Sequence, residues 1–274
     1  MRKVRIAAAL LFFTAVTATM LDFTGTVAEW AGWTVKIQAV PAALAGSAAV
    51  LAGLVLATLL CGRVYCSAVC PLGVLQDIVR WLTFGRRRAL KRGVPATARS
   101  GAVAGWTRIS LLVLFVGGGL LGMHFAWLDP YGIYGRFAAC LAPVVRTGNN
   151  MLADWAARHG SYIAHTVETA VPAVGFILVA AGTVAVVAVL AAWRGRREWC
   201  NLVCPVGTVL GALAKFAWFR PRIDREKCVK CGMCAKICRA GCIDVESGTF
   251  DRTKCVSCFD CSATCGKGAV KWTR

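Results

Sequence analysis

Four apolar runs punctuate the first two thirds of the chain, at about 6–21, 39–60, 106–128 and 171–193. A helix needs about 20 apolar residues to cross a bilayer, so the runs predict four transmembrane helices. The first run is short and follows Met1-Arg2-Lys3-Val4-Arg5. A signal peptide is the alternative reading there, although no small-x-small cleavage site stands out after it. From about residue 220 the apolar runs stop. Closely spaced cysteines take over, with short β segments expected on either side of each cysteine loop.

Charge gives the predicted spans a direction. The loop between the second and third runs carries Arg63, Arg80, Arg86, Arg87, Arg88, Lys91, Arg92 and Arg99. The N-terminus carries Arg2, Lys3 and Arg5, and Arg194, Arg196 and Arg197 follow the fourth run. Residues 22–38 hold only Lys36, and 129–170 hold Arg136, Arg146 and Arg158. The positive-inside rule therefore puts both termini in the cytoplasm. The net charge of +19 reads as a topology signal and as attraction to anionic lipid in the bilayer, so no nucleic acid partner is expected. With 58% hydrophobic residues and a mean hydropathy of +0.62, the chain is too apolar for an ordinary soluble domain.

There are 15 cysteines, and spacing gives most of them a role. Cys228, Cys231, Cys234 and Cys238 read C-x2-C-x2-C-x3-C, and Cys255, Cys258, Cys261 and Cys265 repeat it. This is the bacterial two-cluster ferredoxin run, in which the fourth cysteine ligates the other cluster. Cys228, Cys231, Cys234 and Cys265 are thus expected to hold one [4Fe–4S] cluster. Cys255, Cys258, Cys261 and Cys238 are expected to hold a second. Zinc sites pair two short cysteine hooks across a spacer, which fits the runs less well. The tail repeats at an offset of 27: IDREKC at 223–228 answers FDRTKC at 250–255, and Cys242 falls opposite Ala269. Cys242 is accordingly read as a packing residue, and Ser247-Gly248 as a hairpin turn. One departure stands out. The usual proline after each fourth cysteine is replaced by Arg239 and Gly266, which leaves ligation expected but the local turn and the reduction potentials open.

The first two thirds also look duplicated. Leu21-Asp22-Phe23-Thr24-Gly25 and Leu128-Asp129-Pro130-Tyr131-Gly132 end the first and third runs. VYCSAVCPLG at 64–73 and EWCNLVCPVG at 198–207 follow the second and fourth. The fold class expected is an α-helical membrane protein, four transmembrane helices as two duplicated hairpins over 1–219, followed by a small α+β two-cluster ferredoxin domain over 220–274. Cysteines four apart on a helix share a face, so Cys66 pairs with Cys70 and Cys200 with Cys204. Pro71 and Pro205 suit the first position of a new helix, where the helix dipole favours a thiolate at Cys70 and Cys204. Three roles stay open for the four: a third metal or cluster site, redox-active thiols, or a structural turn that docks the tail. Cys61 and Cys140 have no assigned role.

With the two C-x3-C-P-x-G motifs and the two cluster runs, about 200 of the 274 residues resemble the NapH/MauN/NosR-type membrane ferredoxins. The resemblance implies a multi-pass protein of the bacterial inner (cytoplasmic) membrane with its ferredoxin domain in the cytoplasm. It also implies electron transfer between the quinol pool and a partner redox protein. Candidate quinone contacts are His124, Trp127, Asp129 and Tyr131, since polar groups at membrane depth are functional suspects, although aromatic residues there also serve as interface anchors. Arg220, Arg222, Arg225, Lys227, Lys230 and Lys236 would steer an acidic partner. The competing reading is a maturation or redox-sensing protein that uses the clusters without quinone chemistry. A channel with a ferredoxin sensor is disfavoured, because the spans carry almost no charged residues.

Overall fold

The computed structural model describes residues 1–92, 102–121, 128–160 and 166–273. The first apolar run forms α1 (Arg2–Leu21). Asp22 stops it and accepts backbone N–H bonds from Thr24 at 2.9 Å and Gly25 at 3.1 Å. Three short helices follow: α2 (Thr26–Ala31), α3 (Trp33–Lys36) and α4 (Ala39–Leu44). The run expected to form one span over 39–60 is broken. Gly46 takes φ +63°, a left-handed value that glycine adopts without strain. The helix restarts as α5 (Ala48–Cys61).

Past α5, the first C-x3-C-P-x-G motif builds α6 (Val64–Ala68) and α7 (Pro71–Arg92). The third run lies in α8 (Ala102–Leu120), and part of its expected extent, 122–127, lies outside the described residues. The sequence placed an outer loop at 129–170, but the structure folds α9 (Pro130–Arg158) there. It is not a continuous apolar run: Ile133, Tyr134, Ala138, Ala153 and Ala156 are buried, while Val144, Met151, Leu152 and Trp155 are exposed and polar residues interrupt the series. It packs on α1, α7 and α10 (Val174–Arg194). The second motif builds α11 (Glu198–Leu202) and α12 (Pro205–Leu213). Among the described residues, Arg2–Leu21 and Val174–Ala192 are long and apolar enough to cross a membrane alone. Ala48–Cys61 and Gly105–Leu120 are shorter apolar helices.

The tail contains β1 (Arg220–Ile223), α13 (Met233–Ile237), β2 (Ile243–Asp244), β3 (Thr249–Phe250), α14 (Asp260–Thr264) and β4 (Val270–Thr273). Its sequence repeat is also a structural one. β1 pairs antiparallel with β4, with Ile223 opposite Val270, and β2 pairs with β3, with Ile243 opposite Phe250. Lys230 and Ser257, Gly232 and Phe259, and Gly241 and Gly268 are matched pairs in the left-handed region. Gly248 turns the β2–β3 hairpin at φ +66°.

A single core joins the two parts. Tyr65, Cys66, Leu72, Ile133, Val187 and Trp199 of the helical part are continuous with Cys238, Ile243, Val256 and Val270 of the tail. Backbone bonds add to the joint, from Trp218 and Phe219 N–H to the carbonyls of Leu59 and Leu60, each at 2.8 Å.

Candidate functional site

Both expected cysteine sets are assembled. Cys228, Cys231, Cys234 and Cys265 line one cavity of about 300 Å3 at the outer end of the tail. Cys231 is exposed, and its three companions are half-buried. The left-handed residues Lys230 and Gly232 flank Cys231, as Ser257 and Phe259 flank Cys258. Non-glycine residues rarely hold this conformation, and it is stored at functional sites. It turns successive backbone N–H groups into a concave nest for negative charge, a common feature of iron–sulfur sites.

Cys238, Cys255, Cys258 and Cys261 form the second set, which faces the helical part. Cys238, Cys258 and Cys261 are buried. Burial pushes the Cys258 thiol up to about 12, so a metal binding there displaces a proton that burial would otherwise retain. Cys242 sits in contact with this set. Its Sγ lies 3.5 Å from that of Cys238, and its backbone N–H donates to the same sulfur at 3.4 Å. The hydrogen bond from Cys242 lowers the Cys238 thiol against the opposing effect of burial. Among the described residues, no three of His, Cys, Asp or Glu converge as ligands of a single metal ion. Each donor set consists of four thiols, the ligand chemistry of a [4Fe–4S] cluster.

The four thiols of the C-x3-C-P-x-G motifs are also brought together. Cys66, Cys70, Cys200 and Cys204 are all buried, and all belong to the central core or abut it. The two cysteines of a motif do not share a helix as expected. Cys66 lies within α6 and Cys200 within α11, while Cys204 caps α12 and its sulfur accepts the Gly207 N–H at 3.3 Å. The expected thiolate at the helix N-terminus is opposed as well. Burial drives the Cys70 and Cys204 thiols upward, outweighing the backbone N–H groups that stabilise the anion. Gln76 donates to the Cys200 sulfur at 3.1 Å.

Two arginines that the sequence reading counted only as topology signals lock the motifs together. Arg63 and Arg197 each stand three residues before the first cysteine of their motif, and they are 0% and 1% exposed. Each donates to the carbonyl of the other motif's first cysteine: Arg63 to Cys200 at 3.1 Å, and Arg197 to Cys66. Arg63 also reaches Asn201 Oδ1 at 3.1 Å and the Thr253 carbonyl of the tail at 2.8 Å. The recurring R-x-x-C within R-V-Y-C and R-E-W-C was the available signal.

Asp77 on α7 is the hub of the seam. Arg197 grips it with Nε at 2.9 Å and Nη2 at 2.6 Å. Arg5 reaches it at 3.3 Å, and Arg239 pairs with it from the tail. Burial opposes ionisation of Asp77, but Arg197, Arg239 and Arg5 outweigh it and hold the carboxyl well below the usual range. Arg239 also pairs with Asp260 at 2.5 Å. The arginine in the usual proline position is therefore a tether between the tail and α7.

The expected quinone contacts are only partly placed. His124 and Trp127 lie outside the described residues. Asp129 is buried and caps α9, accepting the N–H groups of Tyr131 at 3.2 Å and Gly132 at 2.7 Å. Tyr131 is half-buried in the first turn of the same helix. Asp22 and Asp129 thus play the same part in both L-D-x-x-G turns, each bonding to the N–H groups two and three residues on. Of the basic residues expected to flank the clusters, Arg222, Arg225, Lys227 and Lys230 are exposed.

Comparison with known proteins converges on the same regions. A family model described as "4Fe-4S binding domain" matches residues 43–92 and again 174–226, each match containing one C-x3-C-P-x-G motif. A second model of that description matches residues 221–244 of the tail. The chain is 27% identical over 216 residues to the methylamine utilization ferredoxin-type protein MauN of Paracoccus denitrificans, covering 76% of this chain and 57% of MauN. It is 27% identical over 179 residues to the ferredoxin-type protein NapH of Haemophilus influenzae, covering 64% of this chain and 47% of NapH. It is 24% identical over 205 residues to YccM of Escherichia coli, provisionally named for electron transport, covering 72% of this chain and 47% of YccM. The chain spans about half the length of these relatives. No solved structure matches it. The chain is thus similar to the NapH/MauN-type ferredoxin-type proteins, and its matched segments are 4Fe–4S binding domains by family model.

Proposed function

We propose that this chain is a multi-pass membrane protein that relays electrons between the quinol pool and a partner redox protein, with its termini and ferredoxin tail in the cytoplasm. The observation that carries the reading is the buried seam. It joins Cys238, Cys255, Cys258 and Cys261 to the helical part, while Cys228, Cys231, Cys234 and Cys265 face outward. Two [4Fe–4S] clusters held by these sets would supply one-electron oxidation and reduction at each.

The chain's own residues do the positioning. Arg239, Asp77 and Arg197 fix the tail against α7. The buried set is shielded from water by the core. The outward set opens near the exposed Lys227 and Lys230, which present positive charge to an acidic partner. Asp129 and Tyr131, with His124 and Trp127, remain the proposed quinone contacts. A quinol that gives up two electrons also releases two protons, and a carboxylate is a suitable acceptor for one of them.

The four motif thiols fit a docking turn, because their loops carry the arginine bonds that hold the tail. A third cluster is the second reading, favoured because the 4Fe–4S family match covers the motifs themselves. Iron and sulfide analysis of anaerobically purified protein separates these readings: about eight irons per chain for two clusters, about twelve for three. The relay itself is tested in membrane vesicles that contain the protein. After the clusters are reduced, the membrane quinone of the vesicles should discharge the reduced-cluster EPR signal without any soluble acceptor. Clusters that discharge only to a soluble acceptor would move the chain to the maturation or sensing role.

A further inference from the structure

The two cysteine sets of the tail stand in opposite electrostatic surroundings. Around the membrane-facing set, buried guanidiniums close in. Arg80 donates to the Ile237 carbonyl, next to Cys238, at 2.9 Å. Arg239, directly after Cys238, is held between Asp77 and Asp260. Arg5 contacts Asp77, and its Nε and Nη2 have no hydrogen-bond partner. All three act on Cys258, where Asp260 opposes them, and Arg80 acts on Cys238 as well.

Along this seam Arg2, Arg5, Arg80, Arg197 and Arg239 surround two carboxylates, Asp77 and Asp260. Buried charge is costly without a counter-charge. The seam therefore suits more negative charge than its side chains provide. The outward set differs. Lys227 and Lys267 line its cavity, but both are exposed, and water and salt screen such charges.

We propose that Arg5, Arg80 and Arg239 form an electrostatic cradle that holds the membrane-facing cluster at the higher reduction potential of the pair. The inference rests on the two-cluster reading above. Burial alone works in the other direction, since it penalises the more negative, reduced state. For the cradle to act in this way, unscreened cations at close range must outweigh that penalty for a bound cluster; their attraction for an added electron grows as the surroundings become less polar. The tail then has a built-in downhill direction, from its outward cysteines to its membrane-facing ones. The replacement of proline by Arg239 is part of the same device.

Potentiometric titration of the anaerobic full-length protein in detergent, followed by EPR, tests the inference. Iron and sulfide are measured first. Fewer than about eight irons per chain would remove the two-cluster reading itself, whatever the arginines do. With both clusters present, two separate waves are expected. Cys231→Ala, at the outward set, should abolish the lower one. Arg80→Gln keeps a donor for the Ile237 carbonyl and removes the charge. It should shift the upper wave downward by about 59 mV, a tenfold change in the one-electron ratio, and leave the lower wave in place. Arg80→Lys should restore the upper wave, and Arg5→Gln should move it in the same direction as Arg80→Gln. A single shared wave, a shift of the lower wave, or no shift in either glutamine variant would overturn the inference.

Discussion

Gly207 shows how little room the motif turn leaves. A Cβ there would run into the Cys200 carbonyl and crowd the Arg63 guanidinium, and Gly73 stands in the same relation to Cys66 and Arg197. The glycine of C-P-x-G thus makes space for an arginine that arrives from the other motif. Gly207→Ala should cost about 1–3 kcal/mol, as overpacking of a tight core does. Gly53→Ala, with nothing within 4 Å of its Cβ, should be neutral or slightly stabilising. Thermal unfolding in detergent compares the two. The motif glycines and cysteines were legible because their spacing is local. The roles of Arg63 and Arg197 were not, because their partners lie 137 and 131 residues away, and an arginine after an apolar run is ordinarily a topology signal.

Among the elements, α7 carries the most unexpected work. Its second turn presents Asp77 to three guanidiniums from α1, the second motif and the tail. Removing one partner of a buried ion pair typically costs about 3–5 kcal/mol. Asp77→Asn should therefore loosen the tail and expose the 214–219 connection to protease, while the tail keeps its own iron. The pH dependence follows from the sign of the shift. The folded carboxyl lies below its unfolded value of about 3.9. Its contribution is thus complete above that value and is lost as pH falls through the lower, folded one. Tail protection should be flat between about pH 6 and 8 and should decline only in strong acid. A decline near neutral pH would assign the docking to another group. The helices reveal the limits of reading by runs. α1 and α10 were legible as continuous apolar stretches, and both tail repeats as cysteine spacing. α9 was missed because polar residues interrupt its apolar ones before they make a continuous run, and the break in the second run because one glycine is weak punctuation.

As a whole molecule, the chain makes two small folds depend on one another. The tail has about 55 residues by its sequence boundaries, too few to rest on a hydrophobic core alone. Its cysteine sets and its seam with α7 supply what the core lacks. Iron removal by a chelator under reducing conditions should therefore unfold the tail, seen as loss of amide-exchange protection in β1 and β4, while α1 and α10 stay protected. Equal protection of the tail with and without iron would show that the seam suffices. The central claim is that this seam links chemistry in the membrane to chemistry in the tail. Its most direct test is the rate at which a water-soluble quinone reoxidises dithionite-reduced clusters, in the full-length protein and in its Asp77→Asn variant at equal iron content. The account predicts fast, stoichiometric reoxidation in the first and at least a roughly tenfold slower rate in the second, about 1.4 kcal/mol of barrier. No reoxidation of the unaltered protein, or equal rates in both, would contradict it.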